Sequence, residues 1–188
     1  MKTSQKFTTR SLVMNALFAA LLCVSAYISI PLPNGSHITF LNFIVMIISL
    51  TFAVADSASI LVVWMLLGAV GVPVFIGGSA GFGYLFGLYG GYSFAFLVVA
   101  ILIPLIRPKK YNRIVYTLLS LLGAVLVDLI GAVWWRVLGH LDLKTAIVAG
   151  ILSFLPLDCV KAVVAAQIVP AFRKIVIPQS EITKSEAV

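Results

Sequence analysis

Long apolar stretches alternate with short polar or Gly/Pro-rich breaks along almost the whole chain. Each stretch approaches the roughly 20 residues that an α-helix needs to cross the hydrocarbon core of a bilayer. The pattern predicts six membrane-spanning helices, approximately over residues 11–31, 40–55, 58–76, 83–106, 114–138 and 145–170. Only loops and a polar tail over 171–188 remain, so residues 1–188 form a single membrane domain with no room for a second. The fold class is all-α, an integral membrane bundle of six helices.

Composition agrees with this reading. Hydrophobic residues make up 62% of the chain and charged ones 10%. A soluble domain carries about 25% charged residues, and the dispersed charge that would cover a soluble surface is missing here. The apolar run Leu12–Ile30 is longer than a signal-peptide core and further spans follow it, which makes it a first span. Cys23 and Cys159 both fall inside apolar stretches, which suits packing and not a disulfide framework or a metal site.

The net charge of +7 is a topology signal. If both termini are cytoplasmic, the inner segments hold Lys2, Lys6, Arg10, Arg107, Lys109, Lys110, Arg113, Arg173, Lys174 and Lys184. The outer ones hold Arg136 and Lys144, and Lys161 lies within a span. Ten bases against two favour N-in and C-in. Bases so placed carry no nucleic-acid footprint, although contact with the cytoplasmic leaflet or a partner stays open. Trp134 and Trp135 beside Arg136 read as an outer interfacial anchor.

Several local features carry chemistry. Ala16 and Ala20 flank Leu17-Phe18-Ala19 in the first span. Small residues four apart flatten a helix face for close approach, unless they are ordinary membrane-helix alanines. Pro31 to His37 breaks the chain at the outer face, with His37 read as a solvated loop residue. Asp56 reads as a helix N-cap. Asp128, a carboxyl inside a span, needs a partner, a proton or a polar cavity, and reads as structural.

Gly71 to Gly91 holds eight of the fourteen glycines. Gly77-Gly78-Ser79-Ala80-Gly81 predicts a loop or broken helix at the outer face, whose freed amides can donate to a ligand. Ser79, Gly83, Gly87, Gly91 and Ala95 recur every four residues, as a packing stripe would. Tyr84, Tyr89 and Tyr92 are interleaved with them, and small residues beside tyrosines suit a pocket equally well. No lysine followed by Ser or Thr is nearby, so a phosphate-binding P-loop is excluded.

In the last span, Asp158 and Lys161 are three residues apart and share a helix face. Each such charge costs about 2.5–3.5 kcal/mol at the membrane centre on insertion scales. Pairing lowers that cost without explaining why both are kept. Either they form a polar recognition site, or a structural ion pair whose lysine reaches to water.

Taken together, these residues resemble the BioY family, the biotin-binding S components of energy-coupling-factor transporters. The resemblance spans roughly residues 10–172 and rests on four stretches. They are Ile30-Pro31-Leu32 with Ile38-Thr39; Gly71-Val72-Pro73-Val74-Phe75; Gly77-Gly78-Ser79 through Gly90-Gly91-Tyr92; and Pro156-Leu157-Asp158-Cys159-Val160-Lys161. It implies a multi-pass protein of the bacterial plasma membrane that captures biotin from outside in a loop-lined pocket of its outer half. It also implies partners, a transmembrane coupling protein and two cytoplasmic ATPases. Biotin is then the transported ligand, with no cofactor and no metal. By this resemblance Asp158 and Lys161 lead the ligand contacts. Gly77, Gly78, Ser79, Tyr84, Gly90, Gly91 and Tyr92 help form the pocket, and Ala16 and Ala20 form the docking face for the coupling protein. Leu88-Tyr89 stands where the family has Pro-Thr. The glutamine expected shortly after Thr39 is absent, and Asn42 is the candidate to replace it.

Two other functions compete with uptake through such a module. A self-sufficient ion-coupled carrier of a small carboxylate-bearing vitamin would favour inverted repeats, and no convincing repeat is visible. An intramembrane enzyme would need a nucleophile with a base or metal ligands in the spans, where the histidines are absent.

Overall fold

The computed structural model describes residues 9–31 and 37–176. Lys2, Lys6, the loop residues 32–36 and residues 177–188 with Lys184 lie outside them. Helix α1 runs Thr9–Ser25, followed by strands β1 (Ser29–Pro31) and β2 (His37–Thr39). Then come α2 (Leu41–Thr51), α3 (Val54–Ala69), a 3-10 turn (Ile76–Gly78), α4 (Phe82–Leu85) and α5 (Gly90–Ile106). The chain ends with α6 (Arg113–Gly139), α7 (Leu143–Ile147), a π-turn (Val148–Leu152) and α8 (Leu155–Val176).

A helix lies in every expected apolar stretch, but the ends differ where tertiary contacts override local pattern. Hydropathy carries the first span to residue 31; α1 stops at Ser25, and the chain enters an antiparallel hairpin pairing Ser29 with Thr39 and Ile30 with Ile38. Residues 83–106 are not one helix. They divide into α4 and α5, so the stripe from Ser79 to Ala95 does not lie on a single helix face. The last helical stretch begins at Leu143 and continues to Val176, which makes residues 171–176 helix and not tail. Among the described residues, α6 and the stretch Leu143–Val176 are long and apolar enough to cross a membrane by themselves.

Helix α2 explains how the bundle holds together. Its 11 residues span only about 16 Å, and all of them except Phe43 are buried. A helix that is apolar all round must be covered all round. Helices α1, α5, α6 and α8 pack against it. Because α2 is short, it leaves space beyond its N-terminal end.

The helix ends sort into two opposite faces. At the basic end, Arg107 donates to the carbonyls of Thr51 and Phe52 at 3.2 and 2.7 Å, capping the C-terminus of α2 where a cation is favoured. Arg173 donates to the hydroxyl of the fully buried Tyr116, and its other terminal nitrogen reaches the Lys109 carbonyl at 2.6 Å. Arg10 reaches the Ile175 carbonyl at the same face. Asp56 is not an N-cap, since Ala53 holds that position. Its Oδ1 instead accepts from Ser11 Oγ and Asn15 Nδ2, each at 2.9 Å, tying α3 to α1.

At the opposite end the chain after α3 folds back on the bundle. Trp64 Nε1 donates to the Val74 carbonyl at 2.9 Å, and Phe75 stacks on Tyr84 with ring centroids 4.9 Å apart. Gly77 and Gly78 hold φ of +67° and +76°, a left-handed pair that side chains oppose. Trp134 and Trp135 both pack against the bundle at this end. Trp135 is buried, and Trp134 Nε1 donates to the Gly87 carbonyl at 3.0 Å. The π-turn frees backbone carbonyls, and Tyr92 Oη donates to one of them, that of Gly150, at 3.0 Å.

Candidate ligand-binding site

Asp158 stands in the first turn of α8, where Pro156 is tolerated because its missing amide has no intrahelical acceptor. The carboxylate is 7% exposed and both oxygens are engaged. Oδ1 accepts from Lys161 Nζ at 2.7 Å, and Oδ2 accepts from Asn42 Nδ2 at 2.6 Å. Asn42 lies in the first turn of α2, where the helix dipole also favours an anion. Lys161 Nζ donates in addition to the Thr39 carbonyl at 2.8 Å. One ion pair therefore fastens α8 to α2 and to strand β2.

A cavity of about 190 Å³ opens beside this cluster. Strand β2 contributes His37, Ile38 and Thr39, and Ile76 and Ser79 come from the turn after α3. Tyr84, Tyr89, Tyr92 and Phe96 form an aromatic wall, and Val127, Asp128, Phe154 and Asp158 close the side toward α6 and α8. Flat aromatic faces with a few convergent polar groups suit a small ligand that has an apolar body and polar ends.

The expected site residues fall into five groups. Asp158, Ser79, Tyr84 and Tyr92 line the cavity. Lys161 and Asn42 are not on its wall; they hold Asp158 from behind. Gly77 and Gly78 shape the turn, with Gly77 against the His37 ring. Gly90 and Gly91 are buried packing positions, where a methyl group would strike the Leu85 backbone and the Trp134 side chain respectively. Ala16 and Ala20 are exposed on α1, on the surface of the bundle.

Several residues of the wall escape sequence reasoning, among them His37, Asp128 and Phe154. His37 has the sequence context of a solvated loop residue, yet it is half-buried and borders the cavity. Asp128 reads as structural from sequence, although its cost inside a span is a signal that points inward. Phe154 carries no signal, since one apolar residue in an apolar stretch is indistinguishable from its neighbours.

Replacing Lys161 by Met tests the fastening. It leaves the buried Asp158 carboxylate with Asn42 alone, and losing one partner of a buried pair costs about 3–5 kcal/mol. The ligand-free protein should unfold at a clearly lower temperature in a thermal melt. An unchanged melt would mean that the pair contributes nothing to holding β2 and α2 together.

Comparison with known proteins gives this architecture a lineage. The model of the BioY family matches residues 1–177. The chain belongs to the BioY family. It is similar to the biotin transporter BioY of Thermotoga maritima, with 32% identity over 166 residues, 88% of this chain and 97% of that protein. It is also similar to the biotin transporter BioY2 of Lactococcus lactis, with 30% identity over 154 residues, 81% of this chain and 84% of that one. Among solved structures, the S-component for biotin from an ECF-type ABC transporter superposes with a TM-score of 0.82 and 27% identity. That match covers 93% of this chain and 95% of the other. The largely helical fold thus matches the S-component fold, and the relatives of this BioY chain are transport proteins.

Proposed function

We propose that the chain captures biotin in the cavity beside Asp158 and serves as the biotin-binding subunit of an ATP-driven uptake system. The observation that carries this is the cavity itself. It is an aromatic-walled space with fixed polar groups, set at one end of an apolar bundle whose family and structural relatives are described as biotin transporters and a biotin S-component. Biotin matches it chemically. Its thiophane body suits the tyrosine and phenylalanine wall, and its ureido ring and carboxylate need donors and acceptors.

In the plasma membrane, α1, α2, α3, α5, α6 and the stretch 143–176 form six spans of one domain. Arg10, Arg107, Lys109, Lys110, Arg113, Arg173 and Lys174 gather at the basic end, against Arg136 and Lys144 at the other. That imbalance supports N-in and C-in, with the cavity opening outward. A transmembrane coupling protein and two cytoplasmic ATPases supply the energy. Ala16 and Ala20, exposed on α1 at four-residue spacing, offer the coupling protein a flat face.

Proteoliposomes separate this from an ion-coupled carrier. Vesicles containing only this chain, given a proton or sodium gradient, should bind biotin without accumulating it. Accumulation that collapses on adding an ionophore would make the chain a carrier in its own right.

A further inference from the structure

Two carboxyl groups border the cavity, and the protein treats them differently. Each oxygen of Asp158 already accepts a donor from the protein, Lys161 Nζ on one and Asn42 Nδ2 on the other. Asp128 is more deeply buried, at 1% exposure, and its Oδ2 has no hydrogen-bond partner among the described residues. It sits on α6 next to Val127 and borders the same cavity as Tyr92, Phe96 and Phe154. A buried acceptor without a partner costs about 1–3 kcal/mol, and more when charged. Lys161 makes its hydrogen bonds to Asp158 and Thr39 and gives none to Asp128.

We propose that Asp128 is the ligand's hydrogen-bond acceptor in this cavity, receiving an N–H of the ureido ring of biotin. This rests on biotin being the ligand. The chemistry selects the ureido end for a simple reason. A ligand carboxylate brought against Asp128 and Asp158 would meet two carboxyl groups of its own kind, whereas a ureido ring presents N–H donors and no charge. Accepting from it satisfies Asp128 Oδ2, which the protein itself leaves unmatched. Specificity follows from the same arrangement, since a ligand lacking the N–H would leave that buried oxygen unpaired. Asp158 is the preformed, protein-held carboxylate of the site, and Asp128 is the one completed by ligand.

The test compares biotin with analogues methylated on either ureido nitrogen, measured by calorimetric titration of the purified full-length protein. In the wild type, methylating the nitrogen that faces Asp128 should weaken binding roughly 10- to 100-fold, the range for leaving a buried acceptor unpaired. In Asp128→Leu, biotin itself should fall to that weaker level and methylation should then make little further difference. Asp128→Asn keeps a carbonyl acceptor and should recover part of both the affinity and the discrimination. Replacing a buried unpaired carboxyl by leucine should leave the ligand-free melting temperature unchanged or higher. Should the leucine variant fail to fold, the wild type carries the test through its infrared difference spectrum. Adding biotin should shift a carboxyl band that is absent from Asp128→Asn. The proposal is overturned if Asp128→Leu binds biotin like the wild type, if its methylation penalty persists in full, or if no such band moves. A wild-type protein that binds no biotin at all would instead remove the functional reading on which the proposal rests.

Discussion

Asp158→Ala is expected to reduce biotin affinity at least about 100-fold, the largest loss from any single side chain at this site. Three effects coincide in it. The carboxylate leaves the cavity wall, Asn42 Nδ2 loses its acceptor at 2.6 Å, and Lys161 keeps only the Thr39 carbonyl for a largely buried ammonium. Truncating one partner of a buried, hydrogen-bonded charge pair costs about 2–5 kcal/mol in recognition, chiefly through the charge left behind. The upper half of that range corresponds to a hundredfold or more. Asp158→Asn separates shape from charge. It keeps the size of the side chain and one acceptor, so it should fold better than Asp158→Ala while still binding biotin less well than the wild type. Titration of both variants beside their ligand-free melts checks this. Wild-type affinity in both would remove Asp158 from the site.

Ala16→Leu with Ala20→Leu is expected to have an equally large effect on a different quantity. Both alanines are exposed on α1, in a face that also presents Leu12, Val13, Leu17 and Val24 to the outside of the bundle. Neither touches the cavity. Adding two branched side chains there holds a partner helix away from the backbone, and helix association in lipid depends on close packing because no hydrophobic gain is available. Biotin binding by the isolated subunit should be unchanged. Uptake in vesicles carrying the coupling protein, both ATPases and ATP should fall by about tenfold or more, since each tenfold follows from only about 1.4 kcal/mol of lost association. Full uptake by the double variant would place the coupling surface elsewhere. Loss of binding would show that α1 shapes the pocket as well.

These two predictions draw on features of unequal visibility in the sequence. Asp158 and Lys161 stand out because charges are rare and costly inside a span, and their i, i+3 spacing alone fixes their mutual contact. The partners of that pair are not visible in the same way. Asn42 is singled out only through resemblance, and the Thr39 carbonyl is a backbone group whose role depends on hairpin register. The end of α1 is hidden for the same reason. Residues 26–31 are as apolar as the helix before them, and only pairing with residues 37–39 turns 29–31 into a strand. Asp56 has the local signature of a cap, but two donors on α1 claim it. Burial is the least legible property. Lipid and protein core both accept Leu, Ile and Val, so hydropathy does not show that α2 lies inside the bundle while Leu17 and Val24 face outward. His37 and Phe154 belong to the cavity through tertiary position alone. The broken glycine region is legible as a break, but not as a wall, because Gly90 and Gly91 serve the packing that positions Tyr92 and leave the lining to the tyrosines.

The central claim is that this bundle recognises biotin without any partner protein. Purified protein titrated with biotin, thiamine, riboflavin and other vitamins, with its melting temperature followed in parallel, tests it most directly. A ligand that binds only the folded state stabilises it by about 4 kcal/mol at a thousand times its dissociation constant. Biotin should bind at one molecule per chain and raise the melting temperature, and the other vitamins should leave it unmoved. Tighter binding of another vitamin, or no response to biotin, would contradict the account.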